Sequence, residues 1–279
     1  MTTNTITGVR SWQRFALTNT LTKAIADRML LVLIAGLAMG ALNLLMGPMY
    51  LALEDVLDEM LSQMPEELFA IAGGVDMSTA TGWYTGEMYS IMVPFVLMFV
   101  AASSAARAFG GEMENGTLGL VMATPTRRTR IALDKIVAMV IHVVLASGII
   151  ALLTYVGIAV SGLDIGFDQV LAIHLMVTLL SIFVGGIAMV VSIVSGRGVL
   201  AILVAMLVAV AMYAVSAFLP MAGNELINDL AWLSPWQHFI ATDPMGTGVD
   251  LASAALLLIL AVVPLVASVY LFKRRDVAA

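Results

Sequence analysis

Long apolar runs alternate with short polar segments along the whole chain. A helix needs about 20 mainly apolar residues to cross a hydrocarbon core of ~30 Å. Six runs reach this length, and they predict membrane-spanning helices at residues 29–49, 88–109, 136–161, 170–194, 199–219 and 251–272. The predicted fold class is therefore an all-α polytopic membrane protein, with residues 29–272 as one transmembrane domain.

Composition supports this interpretation. The 279 residues are 61% hydrophobic and only 11% charged, whereas a soluble domain carries about 25% charged residues. The chain has no cysteine, which excludes disulfides, thiolate metal sites and thiol nucleophiles.

The distribution of lysine and arginine predicts the orientation in the membrane. With six spans, all 13 basic residues fall on the side that contains both termini, and most of the 19 acids fall on the other side. Because loops rich in lysine and arginine remain in the cytoplasm, both termini are expected there, including a tail at 273–279. The expected location is the plasma membrane.

Three segments outside the spans have patterns of their own. In residues 1–28, apolar stripes from residue 8 onward are separated by basic residues, which favours an interfacial helix; a solvated tail is the alternative. In the first outer loop, apolar residues from Leu53 to Met64 repeat at helical spacing opposite acids, which predicts an amphipathic helix. The third outer loop, 220–250, is rich in aromatics, which favours an interfacial hairpin over a gate.

The chain has no evident site for a nucleotide or a metal. None of its lysines follows a glycine, so the phosphate-binding P-loop is missing. His142 and His174 lie well inside spans and are expected near opposite ends of the bundle, each with a local partner rather than in a shared metal site or relay. We expect no catalytic residue, cofactor or metal in this chain.

Small residues recur every four positions in two spans, which predicts close helix packing. They are Gly36 and Gly40 in span one, and Ala201, Ala205 and Ala209 in span five. Pro94 in span two and Pro264 in span six each remove a backbone hydrogen bond and are expected to kink their helices.

A polar island, residues 111–130, separates spans two and three. Its acids favour a short helix that starts near Gly111 and is interrupted at Asn115-Gly116. An apolar knob follows, consisting of Leu118, Leu120, Val121 and Met122. After Pro125, a basic cluster predicts an anchor to the inner leaflet: Arg127, Arg128 and Arg130. The bias of cytoplasmic loops towards basic residues explains the arginines alone, not the acids and the Gly-Thr-Leu triplet before them.

At these residues the chain resembles the ABC-2 type permeases, the membrane subunits of a class of ATP-driven transporters. The motif comprises Glu112, Glu114, Gly116, Thr117, Leu118, Thr124, Pro125, Arg127 and Arg128. Gly119 departs from it, since the family often has glutamate there. The outer-loop segments 64–74 and 233–244 are similar to those of the NatB/NosY-like branch.

The resemblance implies a mechanical role. Two permeases, most simply a homodimer, would pair largely through spans one and five, where the small residues lie. Two separate ATPase subunits, which carry ATP and Mg²⁺, would dock against a coupling helix at residues 111–122. The residues implied in coupling are Gly111, Glu112, Glu114, Gly116, Thr117, Leu118, Leu120, Val121, Met122 and Pro125.

Export of an apolar or amphiphilic compound is the expected function, with lipid and a small-molecule substrate as partners and no nucleic acid. Within the same family, sodium export or copper-enzyme maturation is the alternative. A membrane scaffold or regulator without transport is the alternative from another class. A neighbouring ATPase gene would separate the last possibility from the other two.

Overall fold

The computed structural model describes residues 20–61, 78–119, 126–222 and 225–275. Within these ranges every regular element is helical and no strand is present, which confirms the all-α prediction. Two predicted helices lie partly outside the described residues. They are the interfacial helix of residues 1–28, of which the part before residue 20 is not described, and the amphipathic helix, of which the part after Leu61 is not described.

The helices are numbered in chain order. They are α1 (Thr20–Ala26), α2 (Met29–Leu61), α3 (Ala80–Tyr84), α4 (Met92–Ala106), α5 (Glu112–Glu114), α6 (Arg128–Ser161), α7 (Phe167–Ser195), α8 (Gly198–Phe218), α9 (Glu225–Leu230), α10 (Pro235–Ile240), α11 (Pro244–Thr247) and α12 (Leu251–Arg274). Two π-helical turns, Thr85–Tyr89 and Arg107–Gly111, flank α4.

Six helices in the described part of the chain are long and apolar enough to cross a membrane: α2, α4, α6, α7, α8 and α12. This number agrees with the prediction, but two helices extend beyond their apolar runs. α2 continues to Leu61, so the helical spacing that starts at Leu53 belongs to the same helix as span one. α6 begins at Arg128, and an ion pair between Arg130 and Asp134, one turn apart at 2.9 Å, stabilises its polar first turns.

Consecutive spans run in opposite directions, so basic residues from different helices meet at one end of the bundle. We refer to it as the basic end. It contains Lys23, Arg28, Arg107, Arg128, Arg197 and Arg274. The aromatic-rich loop of α9, α10 and α11 lies at the opposite end.

α7 lies at the centre of the bundle, in contact with α4, α6, α8 and α12. Its glycines permit close approach on two sides. A Cβ atom at Gly185 would lie 2.6 Å from Met139 Sδ and 2.9 Å from Ala101 Cβ, and one at Gly186 would lie 2.7 Å from Pro264 Cγ. Small residues in this helix are therefore required by packing within the chain.

The small residues of α2 and α8 also pack within the chain. Gly36 and Gly40 are buried against α6, where a Cβ atom at Gly40 would lie 2.5 Å from Leu153 Cδ1. The three alanines of α8 are fully buried: Ala201, Ala205 and Ala209. This corrects the expectation that these five residues face a second copy of the chain, because all five are already covered by helices of the same chain.

Both predicted prolines lie in spans. Pro94 is in the first turn of α4, and the helical path before it is broken at Ser90-Ile91, where Ile91 has φ −139° and ψ −56°. A proline ring clashes with the carbonyl four residues earlier, so the break occurs where Pro94 requires it. Pro264 lies inside α12 and faces α7.

The aromatic loop divides between the protein interior and the surface. The Trp236 ring is 1% exposed and lies 5.2 Å from the Phe95 ring and 5.3 Å from the Tyr213 ring. Trp232 is 47% exposed. Of these two residues, only Trp232 is accessible to act as the predicted interfacial anchor, whereas Trp236 fixes α10 to α4 and α8.

Candidate functional site

The polar segment after α4 continues the helical path of that span. The π-helical turn Arg107–Gly111 leads directly into α5, so the helix expected to start near Gly111 is the end of a longer one. Ser192 of α7 holds this turn, since its Oγ accepts from the Gly110 N–H at 2.7 Å and donates to the Ala106 carbonyl at 3.3 Å. These bonds satisfy backbone groups where the regular helical pattern is interrupted.

Gly110 sets the distance between α4 and α8. A Cβ atom there would lie 2.5 Å from the Gly198 nitrogen and 2.7 Å from its Cα, so this backbone approach requires glycine. Nearby, the Glu114 carboxylate accepts a hydrogen bond from the Gly198 N–H at 3.0 Å. Because Gly198 is the first residue of α8, Glu114 satisfies a free N–H of that helix and complements its dipole.

Asn115-Gly116 ends the helical path, as the sequence predicts. Gly116 is left-handed, with φ +67°. Its N–H donates to the Met113 carbonyl at 3.1 Å, and the Thr117 N–H donates to the Glu112 carbonyl at 2.9 Å. This pair of bonds is the Schellman motif, and it fixes the direction in which the chain leaves the helix.

Glu112 lies between lysines from two other helices. Its carboxylate accepts a hydrogen bond from Lys135 Nζ of α6 and lies 3.7 Å from Lys23 Nζ of α1. Lys135 Nζ also donates to the Ala108 carbonyl and lies 4.5 Å from the centre of the Phe109 ring. The Lys135 side chain is only 3% exposed. Since a buried charge is stable only with close partners, this pair fixes the end of α4 to α6.

His142 of α6 lies beside this ion pair. Its Nδ1 is 3.1 Å from Ser104 Oγ, and its Nε2 is 2.9 Å from the Ile25 carbonyl. A carbonyl only accepts, so Nε2 carries the proton and Nδ1 accepts from the Ser104 hydroxyl. The histidine has local partners, as predicted, and it connects α1 to α4 and α6.

The predicted membrane anchors have different environments. Arg128 Nη1 donates to the Arg275 carbonyl at 2.8 Å, just beyond the end of α12, where a cation is favourable. Arg130 pairs with Asp134 and its side chain is 64% exposed. Arg127 precedes α6 and is exposed. Arg128 therefore ties α6 to α12, while Arg127 and Arg130 are accessible at the surface.

A second buried polar cluster surrounds His174 in the half of the bundle away from the basic end. His174 Nε2 lies 2.8 Å from the Tyr89 hydroxyl, which is 3.2 Å from Thr154 Oγ1. His174 Nδ1 lies 2.9 Å from Ser147 Oγ, which accepts from the Thr178 hydroxyl at 2.9 Å. Among the described residues, the hydrogen-bond partners of His174 are neutral hydroxyls, and none of them is also a partner of His142.

No group of three or more metal-ligating side chains occurs among the residues that the structure describes.

The sequence profile of the family described as "ABC-2 family transporter protein" matches residues 17–277. The chain belongs to the ABC-2 transporter family. Among curated proteins, no relative matches the chain. Members of the ABC-2 family are membrane components of transporters and are not catalytic themselves.

In this ABC-2 family member the predicted coupling residues fall into two groups. Those outside the described residues are Leu120, Val121, Met122 and Pro125. Of the others, Leu118 is 3% exposed and belongs to the core, which corrects its assignment to an exposed knob. The exposed positions are Glu114, Asn115, Gly116 and Gly119, and we name them the exposed turn.

Several residues of the site were not singled out from the sequence. The sequence places Lys135 in the loop before the predicted span 136–161, and Lys23 among the basic residues that separate the apolar stripes of the N-terminal helix, so neither pattern indicates a partner for Glu112; Ser104 has no pattern of its own. One signal was present: Lys135 and His142 are seven residues apart, two helical turns, and so share a helix face. Two polar residues at that spacing in an otherwise apolar helix indicate a helix face that packs against polar groups of another segment.

Proposed function

We propose that this chain is the permease subunit of an ATP-driven ABC-2 transporter that exports an apolar or amphiphilic compound. Family membership supports a membrane component of a transporter and implies an ATPase partner. The chain has no P-loop, so ATP and Mg²⁺ would be bound by that separate partner. The basic end would face the cytoplasm of a plasma-membrane protein, with both termini inside.

One observation carries the proposal: the segment after α4 is attached to four helices at the basic end. Glu112 contacts α1 and α6, Glu114 contacts α8, and Gly110 contacts α7. After the last attachment, at Glu114, the remaining residues of the exposed turn are accessible at the surface: Asn115, Gly116 and Gly119. A force applied to the turn would therefore reach most of the helices that surround α4.

In this proposal Glu112 has a different role from the docking role that the motif implies. Glu112 has its own lysine partners and is 16% exposed, so it holds the segment in place. Docking would be left to the exposed turn and to residues 120–122. An ATPase groove would receive this surface, and closure of the ATPase pair would move it.

A second permease copy would complete the path. The buried small residues cannot provide that interface, but the opposite faces of α2 and α8 carry large exposed apolar side chains. On α2 these include Leu30, Leu33, Ile34 and Leu37, and on α8 Leu203 and Leu207. We propose that pairing uses these faces, which would otherwise contact lipid.

The coupling proposal can be tested by replacing Gly119 with tryptophan. A Cβ atom at Gly119 meets no atom within 4 Å, so the bulky side chain would fit the isolated chain and block a partner. We expect loss of the copurifying ABC ATPase and at least about a tenfold drop in substrate-stimulated ATP hydrolysis, equivalent to ~1.4 kcal/mol.

Gly148→Trp is the matched control, because a Cβ atom there also meets open space but Gly148 lies in the middle of α6. It should copurify the ATPase and hydrolyse ATP like the unmodified complex. Full ATPase binding and turnover by Gly119→Trp would exclude the exposed turn as the docking surface.

Transport in inside-out vesicles tests the substrate class. ATP-dependent accumulation of amphiphilic dyes, without sodium movement, is the expected result. Sodium uptake instead would favour the alternative of sodium export within the same family, and no ATP-dependent flux of any kind would favour a scaffold.

A further inference from the structure

A cavity of about 40 Å³ lies at the basic end, between α1, the start of α2, the end of α4 and α6. The charged residues of its wall are Lys23, Arg28, Arg107 and Lys135, with Asp27 and Glu112. Cations therefore outnumber acids in the wall.

The two lysines already have an anion, but the two arginines do not. Glu112 is shared between Lys135 and Lys23. Arg28 and Arg107 form no ion pair with any residue that the structure describes. Arg28 Nε is buried and has no acceptor among those residues, and such a group is costly to leave unbonded.

The two guanidinium groups also repel one another. Burial lowers the pKa of Arg28, the neighbouring Arg107 charge lowers it further, and Asp27 acts in the opposite direction. An anion between the arginines would remove this repulsion and supply the missing acceptor. Phosphate suits the position, because guanidinium groups bind its oxygens in a bidentate geometry.

The depth of the cavity fits a membrane phosphate. Arg28 immediately precedes α2, and Arg107 lies in the turn that ends α4, so both are at the boundary of the apolar spans. Basic pockets between helices at this level bind anionic headgroups.

We propose that the cavity is a phosphate-binding site in which Arg28 and Arg107 contact the phosphate oxygens. The phosphate comes from an anionic lipid headgroup or from soluble phosphate. In either case it lies beside Glu112 and Lys135, and so at the attachment of the segment after α4. The site depends on the bundle alone and not on the proposed transport.

The test uses the full chain in a phosphate-free maltoside detergent in three preparations: detergent alone, detergent with phosphatidylglycerol, and detergent with added inorganic phosphate. Unfolding temperature and lipid retained in native mass spectrometry are measured. We expect a rise in unfolding temperature with one of the anions. Arg28→Gln and Arg107→Gln should each weaken binding by about tenfold or more, the effect of losing a charge-assisted hydrogen bond.

Arg197→Gln is the matched control, since Arg197 is an exposed arginine at the basic end that does not line the cavity. It should bind like the unmodified chain. Arg28→Lys, which keeps the charge but loses the planar fork, should bind with intermediate strength. Because Arg107 is exposed, Arg107→Gln is expected to fold even if Arg28→Gln does not.

The preparations also distinguish the sources. Stabilisation by phosphatidylglycerol alone identifies a lipid headgroup, and stabilisation by inorganic phosphate alone identifies a soluble ligand. Absence of both effects would overturn the proposal. An equal loss of binding in Arg197→Gln and Arg107→Gln would overturn it too, because that result indicates attraction to the basic surface in general.

Discussion

His142 and His174 are both buried in the helix bundle, but their surroundings differ. His142 is 1% exposed and lies next to an ion pair, two arginines and a cavity at the basic end. His174 is 4% exposed, and its partners are the neutral hydroxyls of Tyr89 and Ser147. The first group joins segments that enter and leave the membrane, whereas the second joins the interior of α6 and α7 to the turn before α4.

This difference indicates which half of the bundle can rearrange its side-chain contacts more easily. Displacing any group of a fully bonded neutral cluster costs free energy, because each freed hydroxyl is left without a hydrogen-bond partner in an apolar environment. In the charged cluster, Lys23 and Arg107 are accessible to water and can exchange partners. We therefore interpret the region of His174 as a fixed tie and the region of His142 as the part that responds to a partner.

The largest expected effect comes from Lys135→Met, which removes the buried cation beside Glu112. Breaking a buried ion pair costs about 3–5 kcal/mol. We expect ~3 kcal/mol in the free energy of unfolding, at the lower end, because Glu112 keeps Lys23 and is 16% exposed. Denaturant unfolding of the purified chain in mild detergent measures this loss.

The double variant Lys135→Met/Glu112→Gln tests the cause. If the unpaired carboxylate is responsible, removing its charge should recover most of the lost stability. Lys273→Met provides a matched control at an exposed position and should change stability by less than about 0.5 kcal/mol. Equal losses for Lys135→Met and Lys273→Met would contradict the assignment of Lys135 to a buried pair.

A smaller effect is expected from Tyr89→Phe, which removes the hydroxyl between His174 and Thr154. Hydrogen bonds between helices in membrane proteins average ~0.6 kcal/mol, with a maximum of ~1.7. Since this hydroxyl has two partners and Tyr89 is fully buried, we expect about 1 kcal/mol. Differential scanning of the detergent-solubilised chain would detect the lower unfolding temperature.

Tyr155→Phe is the control for that measurement. Tyr155 lies on the same helix as Thr154 and packs edge to face with Phe167, and its hydroxyl makes no bond with a described residue. Its replacement should leave the unfolding temperature unchanged. A similar shift for both tyrosines would show that the bonds of the Tyr89 hydroxyl to His174 and Thr154 do not account for the loss.

The number of spans could be predicted because lipid imposes a length of apolar sequence on each helix. The residues at which the helices end could not be predicted in the same way. α6 starts at Arg128 because Arg130 and Asp134 pair within the helix, and a pattern of apolar residues alone does not report such pairs. Likewise, the four-residue spacing of Gly36 and Gly40 shows that another helix approaches, but not that it belongs to the same chain.

In the candidate site, local geometry was predictable and long-range pairing was not. The break at Asn115-Gly116 depends on a left-handed glycine and on bonds within a few residues. By contrast, Glu112 meets Lys135 and Lys23 from two other helices. Those partners are set by how helices cross, so the sequence around Glu112 indicated a docking acid, although the side chain is held within the bundle.

The smallest expected effect comes from Arg130→Gln, only five positions before Lys135 on the same helix. Arg130 pairs with Asp134 at 2.9 Å; its side chain is 64% exposed, whereas that of Asp134 is 6% exposed. Pairs at this spacing contribute about 0.3–0.5 kcal/mol when both partners are exposed, so somewhat more is expected here. Asp134 also keeps the Thr20 hydroxyl as a donor. The difference in unfolding free energy should be below about 1 kcal/mol, less than that of Tyr89→Phe, and should decrease at high salt. A loss as large as that of Lys135→Met, or one insensitive to salt, would show that the greater exposure of Arg130 does not make its ion pair with Asp134 weaker than the pair of Lys135 with Glu112.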